Sequence, residues 1–293
     1  MKKICLFTCL LSILIIGVTL VENTNLLLNK ESREIVFDTE TTGLKPEDGE
    51  KIVEIAAVEL INHVPTGKTY HQYINPHHRV SEKAFEIHGL SEEFLEDKPS
   101  FAEIAQDWID FVGDAKLIAH NANFDMKFIN NELKQAEYKE YEPARFIDTL
   151  KMARALFPQQ KNDLDTLCKR YHIDNSSRTI HGALIDTQLL AQIYLKLLYT
   201  EQIKQAIAES KKLKITYWSN PDYKNEITTR IIVPQYLAFG RDFKKDKNRP
   251  LDDKYDLFKF LRDDSLYLQA FCELRQADRT FMVGRIQKLE ILD

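Results

Sequence analysis

The spacing of apolar and polar positions divides the chain into three stretches. An almost unbroken apolar run extends from Ile4 to Val21, preceded by Lys2 and Lys3. A mixed region follows. EIVFD (34–38) reads as a short buried strand, KIVEIAAVELI (51–61) as a β-branched strand, and KTYHQYINP (68–76) as an alternating strand closed by proline. Ser81 signals the start of short helical pieces. In SFAEIAQDWIDFVGD, residues Phe101, Ile104, Ala105, Trp108 and Phe111 fall on one helical stripe. AKLIAHN reads as a short strand, FDMKFINNELKQA and NDLDTLCKRYHI as helices, and residues 181–212 as one long helical pattern. Beyond it the period changes to two. LKITYW, TTRIIVPQYLAF, SLYLQAFCEL and RTFMVGRIQKLEIL are all β-rich, with a charged insertion over 239–264. Strands and helices, a helical connector and a small all-β module are therefore expected.

Charge sharpens this division. The 293 residues carry a net charge of −5, which excludes a globally basic nucleic-acid binder. Up to Glu201 there are 31 acidic and 22 basic side chains; after it, 14 and 18. The cysteines Cys5, Cys9, Cys168 and Cys272 are placed for neither a disulfide framework nor a zinc cluster. The apolar leader is just long enough to span a bilayer. Two readings stand for it: an uncleaved N-terminal anchor, or a start assigned upstream of a cytoplasmic protein that begins near Ser32.

The candidate chemistry lies in the acidic part. IVFDTETTG places Asp38 and Glu40 two apart at the end of an apolar strand, so both carboxylates share a face. Like charges so placed repel and call for a cation. Asp125 lies in HNANFD at a loop–helix junction, and Asp186 lies five residues after His181 in HGALID. Taken alone, Asp125 reads as a helix cap. Taken together, three separated segments each deliver an acid from apolar surroundings. Clustered carboxylates bind hard divalent cations, Mg²⁺ or Mn²⁺, and a pair of these stabilises the attacking and leaving oxygens of phosphoryl transfer.

These three segments resemble the exonuclease motifs of the DEDDh family. The blocks NSSRTIHGALID, HGLSEEFLEDKPSFAEIA and DTLKMARALFP are similar to the ε-type proofreading subunits of bacterial DNA polymerase III. The resemblance covers residues 33–200. It implies an α/β, ribonuclease-H-like fold, with a mixed central sheet flanked by helices, and 3′→5′ release of nucleoside monophosphates from DNA ends. It also implies that Asp38, Glu40, Asp125 and Asp186 hold two metal ions, with Asp38 bridging both, and that His181 is the general base. Thr41, Gly43, His88, Asn121 and Phe124 match positions lining the terminal nucleotide's pocket; for Phe124, core packing is an equal reading. Asp148 reads as structural.

Residues 213–293 resemble the WYL domain, which implies a small Sm/SH3-like β-barrel. Leu266, Tyr267 and Leu268 stand at the name-giving triplet, with leucine in place of tryptophan. The resemblance implies that Arg230, Tyr267, Arg279 and Arg285 contact a nucleotide or nucleic acid; the other reading pairs these arginines with nearby aspartates. The expected organisation is a leader (1–31), an exonuclease domain (32–200), a helical linker (201–212) and the β domain (213–293). The expected partners are a DNA 3′ end and a polymerase III catalytic subunit. The alternatives are a stand-alone single-strand DNA or RNA exonuclease, or a nucleotide-sensing regulator acting through the β domain.

Overall fold

A computed structural model describes residues 32–178, 181–219, 225–245 and 261–293. The apolar leader lies outside the described residues, within which no helix is long and apolar enough to cross a membrane.

The first unit is built on a five-stranded sheet in the order β3-β2-β1-β4-β5. Its strands are β1 (Arg33–Thr41), β2 (Ile52–Ile61), β3 (Val64–Tyr73), β4 (Lys116–Ala119) and β5 (Phe146–Asp148). The first three form the expected antiparallel meander, and β4 and β5 continue the sheet in parallel with β1. The sheet is therefore mixed, with β1 at its centre. The helices are α1 (Glu82–His88), α2 (Glu92–Leu95), α3 (Phe101–Val112), α4 (Ala122–Gln135), α5 (Thr149–Leu156), α6 (Leu164–Tyr171) and α7 (Ala183–Ala208). Alternation along β1 serves two layers. Ile35 and Phe37 pack with Trp108 and Phe128 of α3 and α4, whereas Val36 packs with Leu190 and Tyr194 of α7. The α3 stripe read from the sequence is buried at Phe101, Ile104, Ala105 and Trp108, the last wholly inaccessible, and partly buried at Phe111. The Ser81 cap is present, accepting from the Ala84 amide at 3.2 Å. The three-residue strand β5 and helix α5 are short and were not singled out by apolar period.

The second unit has strands β6 (Leu213–Trp218), β7 (Ile227–Phe239), β8 (Leu266–Cys272), β9 (Ala277–Met282) and β10 (Ile286–Ile291), with α8 (Gly240–Lys245) after β7. All pairings are antiparallel, in the order β10-β6-β7-β8-β9. The end strands β9 and β10 are not paired with each other among the described residues. What is described is thus an open antiparallel sheet in place of the closed barrel expected from the sequence. Most of the charged insertion lies outside the described residues.

The two units share one core. Leu167, Tyr171, Ile193 and Leu197 belong to the same buried cluster as Leu213, Ile215, Leu268 and Phe281. Helix α7 runs unbroken from the first unit toward β6, and Lys196 Nζ donates to the Ile286 carbonyl at 2.5 Å. Tyr199 donates to the Gln287 carbonyl at 2.9 Å. At Gly284 the backbones approach so closely that a Cβ would collide with the Tyr171 carbonyl.

Candidate active site

The C-terminal end of β1 projects carboxylates beside α4 and α7. Asp38 and Glu40 share one strand face, and Asp186 lies in the first turn of α7, the helix packed on that face. Thr39, on the opposite face, donates to Asp125 Oδ1 at 2.8 Å. Asp125 is therefore not a helix cap. Asn121 occupies the α4 N-cap position in the left-handed region (φ 71°), and Asp125 is buried one turn inside the helix. The pairing of β1 with β2 slips between Glu40 and Thr41, a bulge where the strand leaves the sheet and re-aims its side chains.

A cavity of about 470 Å³ opens here, lined in part by Asp38, Glu40, Asp125, His181 and Asp186. Glu40, His181 and Asp186 offer ligand atoms within 4.8 Å of one another. Burial, reinforced by the surrounding acids, holds the Asp38 carboxyl well above the usual range. Burial, then Glu54, Asp186 and Asp125, push Glu40 up to about 8. Burial raises Asp125 to about 7 against the opposing hydrogen bond from Thr39. This repulsion is relieved by cations, and a donor set of carboxylate oxygens with one imidazole fits a hard divalent ion. Burial, then the Arg178 charge, lower the His181 pKa below the ordinary imidazole value.

The expected nucleotide-pocket residues separate into two groups. Phe124 lines the cavity and also packs on Phe128, with ring centroids 4.9 Å apart. Thr41, Gly43, His88 and Asn121 are not among the cavity-lining residues. Thr41 donates to the Gly43 carbonyl at 2.6 Å, and the Glu50 carboxyl packs where a Gly43 Cβ would sit. His88 is buried, with Nδ1 accepting from the Leu90 amide at 3.0 Å. Asp148 is structural: it caps α5 through the Leu150 and Lys151 amides and accepts from the Asn121 amide at 3.2 Å.

Sequence reasoning missed three polar groups here. Arg178 places Nε and Nη2 on the two oxygens of Asp186, at 2.5 and 2.8 Å. Its position three residues before His181 was a usable signal, a cation amid acids. Glu54 stands directly across from Glu40 in the sheet. It contacts His71 at 2.7 Å and accepts from the Ala183 amide at 3.1 Å, which ties the α7 N-terminus to β2. An acid inside the apolar run IVEIAA was its signal. His120 lines the cavity, with Nδ1 2.9 Å from the Thr149 hydroxyl.

All these acids fall within residues 35–194, over which the chain matches the Exonuclease (RNase_T) family. It is 48% identical over 206 residues to DNA polymerase III subunit epsilon of Rickettsia conorii, spanning 69% of this chain and 90% of that protein. The chain belongs to this exonuclease family. It is also 47% identical over 171 residues to DNA polymerase III subunit epsilon of Escherichia coli, spanning 56% of this chain and 70% of that protein. The nuclease domain of 3′hExo, a DEDDh family member solved bound to rAMP, superposes with a TM-score of 0.51 at 21% identity, covering 58% of this chain and 94% of that one, which shows the shared fold. As a family member the chain is a 3′→5′ exonuclease.

This exonuclease also matches the WYL domain over residues 255–291. Of the expected contacts in the β module, Arg230 stacks over the rings of Tyr217 and Phe281, at 5.9 and 5.7 Å from their centroids. Arg285 hydrogen-bonds Tyr217. Arg279 is exposed on β9, on the strand face that carries Phe281. Tyr267 departs from expectation. It is buried against Phe243 and Met282, its hydroxyl accepts from the Arg262 amide at 3.0 Å, and its ring is packed instead of open for stacking. The aromatic at which Arg230 and Arg285 meet is Tyr217.

Proposed function

We propose that this exonuclease releases nucleoside monophosphates from DNA 3′ ends with two divalent ions, Mg²⁺ or Mn²⁺, which Asp38, Glu40, Asp125 and Asp186 would hold. The observation that carries this reading is the convergence of carboxylates from β1, α4 and α7 on one cavity, with the His181 imidazole beside Glu40 and Asp186. Bound there, the metals would supply positive charge to the phosphate and lower the pKa of water. Thr39 holds Asp125 in place, and Glu54 holds the start of α7 and hence Asp186. His181, neutral near pH 7, takes the proton of the attacking water. Phe124 offers a face to the terminal nucleotide, while Thr41, Gly43, His88 and Asn121 shape the loops around it. Residues 32–200 form the nuclease unit, 201–212 the connector and 213–293 the β module. Arg230, Arg279 and Arg285 give the module a cationic face for a nucleotide or nucleic acid. Kinship with the epsilon subunits supports a proofreading role beside a polymerase III catalytic subunit, in the cytoplasm.

The test is cleavage of end-labelled oligonucleotides by the full chain, comparing single-stranded, paired and 3′-mismatched DNA with RNA, in Mg²⁺ or EDTA. Metal-dependent laddering from the 3′ end, faster on frayed DNA and lost in Asp38→Ala, is the expected result. Preference for RNA would assign the enzyme a stand-alone role. No cleavage of any substrate by folded protein would sink the reading and leave the ligand-sensing role of the β module.

A further inference from the structure

The guanidinium of Arg178 is committed on every nitrogen. Nε and Nη2 contact both oxygens of Asp186, at 2.5 and 2.8 Å. Nη1 donates to Asp165 Oδ2 at 2.9 Å, and Nη2 lies 2.8 Å from His181 Nδ1. The side chain is 8% exposed and lines the acidic cavity. One fork therefore holds the acid of α7 and also contacts the imidazole, two of the three groups that could ligate a metal together with Glu40. Planar guanidinium–carboxylate pairing is the strongest ion-pair geometry available to side chains, and a divalent ion on the same carboxylate would have this fixed positive charge beside it.

We infer that Arg178 is a resident counter-cation of the metal site. It holds Asp186 and His181 in position and competes with the divalent ion for the Asp186 carboxylate, so that metal binding and the Arg178–Asp186 pair oppose each other. Asp165 anchors the other side of the fork. It is 48% exposed, and it is itself fixed by Asn175 Nδ2 at 2.8 Å, so the guanidinium has a second carboxylate to rest on when Asp186 is taken. This ties the affinity for metal to a residue that is not a ligand. By linkage, whatever loosens Arg178 tightens the ion, and the ion loosens Arg178 by the same factor.

The inference rests on the proposed metal site, and the experiment separates the two. Mn²⁺ binding to the full chain is measured by calorimetry for wild type, Arg178→Gln, Arg178→Lys and Asp38→Ala, together with thermal melting in EDTA. Removing the competing charge in Arg178→Gln is expected to tighten Mn²⁺ by about tenfold or more, since a fixed cation within a few ångströms of the ion is strongly repulsive in a partly buried site. In EDTA the same variant melts below wild type, because the acids lose their counter-charge. Arg178→Lys, which keeps the charge without the fork, falls between the two and reports even if Arg178→Gln does not fold. Saturable Mn²⁺ binding by wild type, lost in Asp38→Ala but unchanged or weakened in both Arg178 variants, overturns the inference alone. Absence of saturable binding by wild type overturns the metal site and the inference with it.

Discussion

The hydroxyl of Thr39 lies 2.8 Å from Asp125 Oδ1, joining the central strand to a helix 86 residues later in the chain. Because Thr39 points away from Asp38 and Glu40, this contact brings an acid from the opposite side of the sheet to the site. Thr39→Val keeps the shape and deletes the donor. It is expected to cost about 1–2 kcal/mol of stability, since Asp125 is left buried with one partner fewer. Turnover should fall more than KM rises. A melting curve and a kcat/KM split on single-stranded DNA check this; wild-type turnover would show that Asp125 needs no such support.

His181 is the imidazole whose pKa burial and Arg178 hold below its ordinary value. A base must be unprotonated to act, so a lowered pKa moves the rise of the rate to lower pH. Turnover should climb on the acid side of pH 6.5 and level off by neutrality, and His181→Ala should lose roughly 10²–10⁴ in rate together with that limb. A limb at the same pH in His181→Ala would assign it to another group.

The acidic cluster predicts an unusual pH dependence of stability when metal is removed. Glu40 titrates at about 8 and Asp125 at about 7 in the folded protein, against ordinary values of 4.5 and 3.8. Between these limits the folded chain retains protons that the unfolded chain has released. Stability in EDTA should therefore be highest at the acid end of this window and fall as pH rises toward 8. Saturating Mn²⁺, which favours the ionised acids, should flatten or reverse the fall. Melting temperatures across pH 5–8 with and without Mn²⁺ decide it; identical profiles would mean that no ion compensates these charges.

Gly284 tests the union of the two units. A Cβ there meets the Tyr171 carbonyl, part of a rigid helix end. Gly284→Ala is expected to cost about 1–3 kcal/mol through overpacking. Because the core is continuous across both units, a single melting transition should shift as a whole. A separate early transition of the β module would show that the units unfold independently.

Local pattern made much of this legible. The meander, the Trp108 stripe, the length of α7 and the change to period two after it are all properties of neighbouring residues, and they appear where the chain indicates. The acids of the site were legible for a related reason. A carboxylate inside an apolar run, as at Asp38 or Glu40, is costly unless something cationic meets it. Glu54 carries the same signal within IVEIAA, but no second acid stands beside it in sequence; its neighbour Glu40 arrives only through strand pairing.

The sequence alone determined which acids and which imidazole the chain offers and the elements that carry them, because those follow from side-chain chemistry and local period. Tertiary structure decided what each group faces. It set Asp125 against Thr39, placed Arg178 on Asp186, buried Tyr267, brought Arg230 over Tyr217, and joined the β module to the nuclease through one core. Such contacts join residues tens of positions apart, and their energies depend on distance and burial, which exist only once the chain has folded.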